Sequence, residues 1–426
     1  MASARSKNGD PTVVVTGMGV ITSLGTGKAD NWSRLVAGQS GIHRITRFAN
    51  EGLKTTIAGT VDFVPIEPFC STELGERMAA LAAEEAIAEA DIGGRADFPG
   101  PLFLAVAPVE MEWPHRETLA AASGANDTVG YADLLRATAS GRFHAIHERC
   151  LLGSVAEHLA DCFGTKGSPI SVSTACASGA SAIQLGVEAL RRGETEAALC
   201  IGTDGSVNPE CLIRFSLLSA LSTANDLPEG AAKPFSKNRD GFVMAEGAAA
   251  LVIETYESAK ARGAKILGVL AGCGEMADSF HRTRSSPDGK AIIGCIRHAI
   301  ADAGLTPDDI DYVNPHGTGT PENDKMEYVG MLSVFGPRAQ SIPVSSNKSM
   351  IGHTLSAAGA VEAVFTLLTL QHQRLPPTIN YRVPDPAIPL DVVPNVARDA
   401  KVHHALSNSF GFGGQNVSLV ISGEPA

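Results

Sequence analysis

Aromatic residues are scarce: they make up 5% of 426 positions, with only 2 tryptophans and 5 tyrosines. Small and β-branched side chains must therefore fill whatever core the chain builds. Charge is also sparse, at 19%, and sums to a formal -12. General nucleic-acid binding needs a concentrated basic surface, and this balance argues against it. No apolar run reaches the ~18 residues of a membrane span, and the opening MASARSKNGDPT lacks the apolar stretch of a secretion signal. The 8 cysteines (Cys70, Cys150, Cys162, Cys176, Cys200, Cys211, Cys273 and Cys295) include no C-x-x-C pair and no tight cluster with histidine. Neither a metal site nor a disulfide framework is expected from that spacing. A reducing, cytoplasmic setting away from membranes is the expectation.

What is present is 44% hydrophobic residues and 44 glycines, the make-up of a globular α/β protein. The length exceeds the ~250–300 residues at which one core saturates, so two domains or a duplicated core are expected. After a polar arm of about ten residues, Thr12–Gly19 (TVVVTGMG) reads as a buried strand that breaks at glycine. Strands and helices then alternate, the pattern of a layered α/β fold.

An internal repeat runs through that alternation. AIAEADI around Ala86 recurs as AIADAGL around Ala299. Ile170-Ser-Val-Ser leads into SGASAIQLGVEALRRG, and Ile342-Pro-Val-Ser leads into AAGAVEAVFTLLTLQHQ, which aligns Gly179 with Gly359. Two matched pairs in one order indicate a duplicated unit with its break near Lys260–Lys265, giving halves 1–262 and 263–426. Helices starting at Ser178 and Ala357 are apolar nearly all round, so each should be buried on every side. Packed together between two sheets, they would make a five-layer α-β-α-β-α sandwich with reactive groups at the two helix starts.

Four stretches could carry chemistry there. In Val172-Ser-Thr-Ala-Cys-Ala-Ser-Gly, Cys176 sits at a strand–turn–helix junction, where the helix dipole favours thiolate. A small buried cysteine is the plainer alternative, and the other seven take it. In Asn314-Pro-His-Gly-Thr-Gly-Thr-Pro, His316 ends a strand expected over Ile310–Val313 and enters a glycine loop, as a hydrogen-bond donor or a structural histidine. A phosphate cradle there would want a following Lys-Ser/Thr, which is missing. Lys348 and His353 flank the start of the second buried helix, and a lysine beside a buried region needs a partner unless the loop exposes it. Finally, Ser407-Asn-Ser-Phe-Gly-Phe-Gly-Gly is either a tight hairpin or a source of backbone N–H groups for an oxyanion.

Taken in order, TACASGASAI, PFSKNRDGFVMAEGAAALVIE, HGTGTPENDKMEYV, NKSMIGHTLSAAGAVE and NSFGFGG resemble the β-ketoacyl-acyl carrier protein synthases of the elongating type. The resemblance runs from about Val13 to Ser422. It implies the thiolase fold and a homodimer. It also implies an acyltransferase that takes an acyl chain from acyl carrier protein onto Cys176 and condenses it with malonyl carrier protein, as in fatty acid biosynthesis. The implied catalytic set is Cys176, His316, His353 and Lys348. The N–H groups of Cys176 and Phe412 would form an oxyanion hole, with Phe410 and Phe412 gating the acyl pocket. Thr318 and Thr320 would bind the pantetheine arm, Phe215 would contact substrate, and Glu327 and Asp324 would support the site, Glu327 beside Lys348. No cofactor or metal is implied, since the carrier supplies its own phosphopantetheine.

Relatives of other activity are separable. A thiolase needs a second cysteine in its C-terminal glycine loop, and the last cysteine here is Cys295. Initiating synthases use Cys-His-Asn, whereas this chain has His353 in third place. A non-catalytic chain-length factor would lack Cys176. A polyketide-type ketosynthase is the alternative that shares HGTGT. Three departures from the family pattern stand out. Ala105-Val-Ala-Pro-Val-Glu-Met-Glu-Trp replaces a glycine-rich segment at the far end of the acyl tunnel. Glu73 and Glu76 leave Arg77 alone where a basic carrier-contacting segment is common. Ser219 stands where arginine is frequent. Together they suggest a specialised paralogue serving an unusual carrier or a very long chain.

Overall fold

Nine principal strands of a computed structural model give the molecule its frame; the structure describes Arg5 and residues 9–93, 96–108, 110–124 and 128–423. Most of the polar arm, and Val109 of the divergent segment, fall outside that set. In chain order the strands are β1 (Val13–Thr22), β2 (Leu102–Ala105), β3 (Ile170–Val172), β4 (Ala197–Asp204), β5 (Gly247–Thr255), β6 (Gly268–Ala277), β7 (Tyr312–Asn314), β8 (His404–Phe410) and β9 (Gln415–Ser422). They pair in the order β7-β8-β9-β6-β1-β5-β4-β2-β3. The link in the middle is short: β6 touches β1 only at Val14–Val269 and Val15–Gly268.

Each side of that link repeats the other. On one side β1 pairs with the last strand β5, then come β4, β2 and β3. On the other, β6 pairs with the last strand β9, then come β8 and β7, and Val344 bridges in parallel to Val313 at the edge. Val344 thus sits where β3 sits in the first side. Ile342-Pro-Val-Ser and Ile170-Ser-Val-Ser occupy equivalent edges, as the repeat in the sequence implies.

Among the helices that fill the layers are α1 (Ser71–Ala90), α2 (Ser178–Arg191), α3 (Lys290–Asp302), α4 (Pro321–Phe335) and α5 (Ala358–His372). α1 packs outside β1, β4 and β5, while α3 packs outside β6 and β9 with α4 against it. α2 and α5 lie together between the two half-sheets. The result is the five-layer sandwich, and no helix among the described residues is long and apolar enough to cross a membrane.

Glycine explains how close the layers come. β1 does not break at its glycines; it continues through Gly17 and Gly19 to Thr22. A Cβ on Gly17 would run into the Ala86 carbonyl oxygen, and one on Gly19 into that of Ala82, so these glycines admit α1. Gly272 and Gly274 of β6 do the same for Ala299 and Cys295 of α3. At the centre, a Cβ on Gly179 would lie 2.5 Å from Ala360 N, and one on Gly359 would strike Ala180 N. The aligned glycines are the crossing point of α2 and α5.

Two further expectations need correction. α5 is buried all round, with Val361, Val364, Phe365 and Leu367 in the core, each worth about 1.5–3 kcal/mol of burial. α2 is not: Gln184, Leu185, Glu188 and Arg191 are partly exposed, and Arg191 holds Asp302 at 2.7 Å. The strand expected over Ile310–Val313 lies two residues later, because Pro307–Asp309 form a 3-10 turn closed by the Thr306–Asp309 capping box.

Candidate active site

Both central helices begin in the same unusual way. A 3-10 turn at Ala175–Ala177 leads into α2, and one at Leu355–Ala357 leads into α5. The first residue of each turn has positive φ, +50° at Ala175 and +45° at Leu355. Non-glycine residues pay strain for that conformation, which makes a sharp elbow presenting the next side chain. The next residues are Cys176 and Ser356. Thr174 N donates to Ser178 Oγ at 2.8 Å, and Ser178 Oγ donates to the Ala175 carbonyl at 2.6 Å, locking the elbow.

Cys176 is 8% exposed, at the floor of a cavity of about 470 Å³. The backbone N–H groups of Cys176 and Phe412 both face its sulfur and favour its charged form. The glycine loop 411–414 that carries Phe412 joins β8 to β9, so the hairpin reading and the N–H-donor reading both describe it. The dipole argument for a thiolate is outweighed: burial pushes the Cys176 thiol up to about 11, with the Phe412 N–H and Lys348 pulling the other way. At rest the residue is a protonated thiol.

His316 and His353 close the floor. One ring nitrogen of each and the Cys176 sulfur all lie within 4.8 Å of one another. The two rings meet edge to face at 5.2 Å, and Phe410 lies 5.8 Å from His316. Leu355 N donates to His353 Nδ1 at 3.3 Å, so the His353 proton sits on Nε2, which is buried without a partner. His316 Nδ1 is likewise buried and unpartnered. Burial, then the Lys348 charge, drives both imidazoles well below their usual range, and His353 adds to the effect on His316. Both are neutral donors.

Lys348 is buried and its partner is Glu362 of α5, not the expected Glu327. Burial raises Glu362 to about 7 against the pull of that lysine. Glu327 instead accepts the N–H groups of His316 and Gly317, each at 2.8 Å, and Asn408 Nδ2 at 3.2 Å. It holds the His316 loop from beneath, and burial raises it to about 7. Asp324 accepts Phe235 N at 2.7 Å and Gly319 N at 3.2 Å, tying the same loop to the segment carrying Arg239. Glu362 could have been found from sequence, being the lone acid in an otherwise apolar helix. Asp204, whose carboxylate accepts Ser356 N at 3.1 Å, had no such signal.

Thr318 and Thr320 share a hydrogen bond of 2.9 Å and line the cavity above the histidines. Phe215, Phe410, Phe412 and Ser219 line it too. Phe215 stacks edge-on against Phe242, which does the same to His353. The divergent segment after β2 encloses a separate cavity of about 50 Å³ with Glu110, Met111, Glu112 and Asp204 on its walls. Glu73 and Glu76 are engaged by Arg149 and His158. Cys176, His316 and His353 are a possible ligand set for a soft metal. The adjacent Lys348 charge and the proton on His353 Nε2 both oppose a cation there.

Models of the beta-ketoacyl synthase N-terminal and C-terminal domains match residues 10–259 and 267–382. The chain is 36% identical over 418 residues to a 3-oxoacyl-[acyl-carrier-protein] synthase 2 of Coxiella burnetii, covering 96% of this chain and 98% of that one. A polyketide beta-ketoacyl synthase of Streptomyces cyaneus is 35% identical over 425 residues, with 96% and 98% covered. Among solved structures, a type II polyketide ketosynthase in complex with its acyl-carrier protein superimposes with a TM-score of 0.85 at 32% identity, covering 97% of this chain and all (100%) of that one. A beta-ketoacyl synthase from Burkholderia phymatum gives 0.82 at 31%, with 97% and 100% covered.

Proposed function

The chain belongs to the beta-ketoacyl synthase family, and on that premise we propose that it elongates carrier-bound acyl chains by decarboxylative condensation on Cys176. The observation that carries this reading is the convergence of a buried thiol, two backbone N–H groups and two neutral imidazoles on one cavity floor.

Each group meets one demand of the chemistry. The Cys176 sulfur attacks the acyl thioester carbonyl, the carrier's C–S bond breaks, and the thiol proton leaves with the carrier thiolate. The carbonyl oxygen gains negative charge in that step, beside the N–H groups of Cys176 and Phe412. Malonyl carrier then loses carbon dioxide, and the electron pair left behind makes an enolate. Neutral His316 and His353 suit that oxygen because they donate without giving their protons away. The enolate carbon attacks the acyl carbonyl, the bond to sulfur breaks, and the Cys176 thiolate takes a proton from water. Burial keeps both imidazoles neutral, and the Lys348 charge reinforces it. The arm of the carrier runs past Thr318 and Thr320, with Phe410, Phe412 and Phe215 bordering the acyl path. The reading calls for no cofactor or metal beyond the carrier's own arm.

A cytoplasmic homodimer is part of the same reading. β3 is an edge strand with Ile170 exposed, and Tyr131 and Leu217 are each 78% exposed. Unpaired edges and large exposed apolar groups favour association with a second copy. Condensation on a polyketide-type carrier is the second reading, favoured by the comparable identity to the Streptomyces relative. The altered segment around Glu110 and Glu112 supports an acyl group or carrier out of the ordinary in either case. Mass spectrometry of Cys176 after incubation with acyl carriers of graded length tests the proposal. An acyl adduct on Cys176, and loss of condensation in Cys176→Ala, are expected. Unchanged condensation by that variant would overturn it.

A further inference from the structure

The mouth of the catalytic cavity carries charge that the chemistry at its floor does not use. Arg282, Arg284 and Lys325 line the cavity and are all exposed. Elsewhere in this acidic chain arginines hold carboxylates: Arg47 with Glu246, Arg191 with Asp302, Arg239 with Asp385 and Arg262 with Glu254. Among the described residues, none of the three mouth cations enters an ion pair. Unpaired like charges facing one opening repel, and an entering anion relieves that repulsion.

Their placement is fixed, not incidental to a loose loop. Asp278 accepts Phe280 N at 2.9 Å and Ser286 N at 2.7 Å, closing the loop at both ends. His281 Nδ1 accepts Thr283 N at 3.1 Å, and Arg282 and Arg284 flank that threonine. Lys325 comes from the first turns of α4, across the opening, beyond Thr320 at its cap. Glu322 and Asp278 also line the cavity, which leaves three cations against two carboxylates, and both Asp278 oxygens are already taken up by loop N–H groups. At the start of α1, Glu73 and Glu76 are held by Arg149 and His158 and do not pair with the mouth cations.

From mouth to floor the cavity therefore offers cations, then the hydroxyls of Thr318 and Thr320, then the thiol. We propose that Arg282, Arg284 and Lys325 receive the phosphate of the carrier's prosthetic arm, fixing the depth at which its thioester meets Cys176. A phosphopantetheine arm presents the complementary order: phosphate, amides, thioester. This rests on the condensing function proposed above.

The test compares rates of Cys176 acylation, read by intact mass, from octanoyl-pantetheine, octanoyl-phosphopantetheine and octanoyl carrier protein. In the wild type the phosphorylated thioester should be preferred over the unphosphorylated one, with the preference shrinking as salt rises. In the triple variant R282A/R284A/K325A that ratio should fall about ten-fold, what three exposed charge pairs contribute together. The charge-keeping R282K/R284K pair should retain most of it. A ratio unchanged in the triple variant overturns the proposal; if carrier-dependent acylation alone falls, the cations read the carrier's protein surface instead. A wild-type chain that accepts an acyl group from none of the three donors would bring down the condensing function, and this assignment with it.

Discussion

Replacing Lys348 by methionine separates what the buried ion pair does for the fold from what it does for the reaction. Lys348 is 2% and Glu362 1% exposed, so neither charge has water to fall back on. Removing one member of such a pair costs about 3–5 kcal/mol, mostly because the other is left charged and unpaired. Glu362 can escape by taking a proton, and it already stands at about 7 with the lysine present. Without the lysine it must stand higher. A carboxyl raised in the folded state favours folding at low pH and loses that contribution as pH climbs to its folded value. The deficit of Lys348→Met should therefore be small at pH 6 and approach its full size by pH 9, in urea melts run at both. K348M/E362Q removes the stranded acid and should recover most of the stability at pH 9. Its condensation should stay about 10- to 100-fold below wild type, since the site loses the positive charge that favours a developing enolate beside the two imidazoles. A deficit equal at both pH values, or full activity in the double variant, would refute the reasoning.

The remaining expectations are simpler. Gly179→Ala or Gly359→Ala forces a Cβ into the backbone of the facing helix, and the overpacking should cost about 1–3 kcal/mol or more; an unchanged thermal melt would mean the helices are not that close. Glu327, held at about 7 by burial, should make the fold less stable as pH rises from its unfolded range toward 7. Glu327→Gln should thus gain on wild type between pH 5 and 8, as read by urea midpoints, and parallel pH profiles would contradict the assignment. His353→Ala should slow malonyl decarboxylation by about 10²–10³-fold while acylation of Cys176 suffers much less, a split visible in single-turnover assays of each step.

The repeat was the most legible feature of the sequence, because duplicated packing demands duplicated residue types. Gly179 and Gly359 had to be glycine for one shared reason, and that pairing survives in a plain comparison of the two segments. The motif order likewise exposed Cys176, His316 and His353, whose loops come together only in the folded chain. What stayed hidden depended on three-dimensional context. Gly17 and Gly19 look like strand breakers, yet they admit a helix that no local pattern announces. The thiol's protonation could not be read from its place at a helix start, because burial opposes the dipole and its extent is set by distant segments. The partner of Lys348 is hidden for the same reason: two buried glutamates, Glu327 and Glu362, lie in candidate motifs, and only packing decides which one it meets.

The duplication also accounts for how labour is divided at the floor of the cavity. Two equivalent elbows, each strained at one residue, begin α2 and α5. One elbow bears Cys176. The other bears Ser356, whose N–H is spent on Asp204. A second nucleophile would gain nothing there, because one acyl chain is held at a time. The space around the second elbow is instead given to Lys348, His353 and Glu362, which shape the field in which the first one reacts. A symmetric pair of helix starts, with a thiol at each, would offer no donor for an enolate. Breaking that symmetry turns a pair of helix starts into a site that both holds an acyl group and stabilises the charge that attacks it.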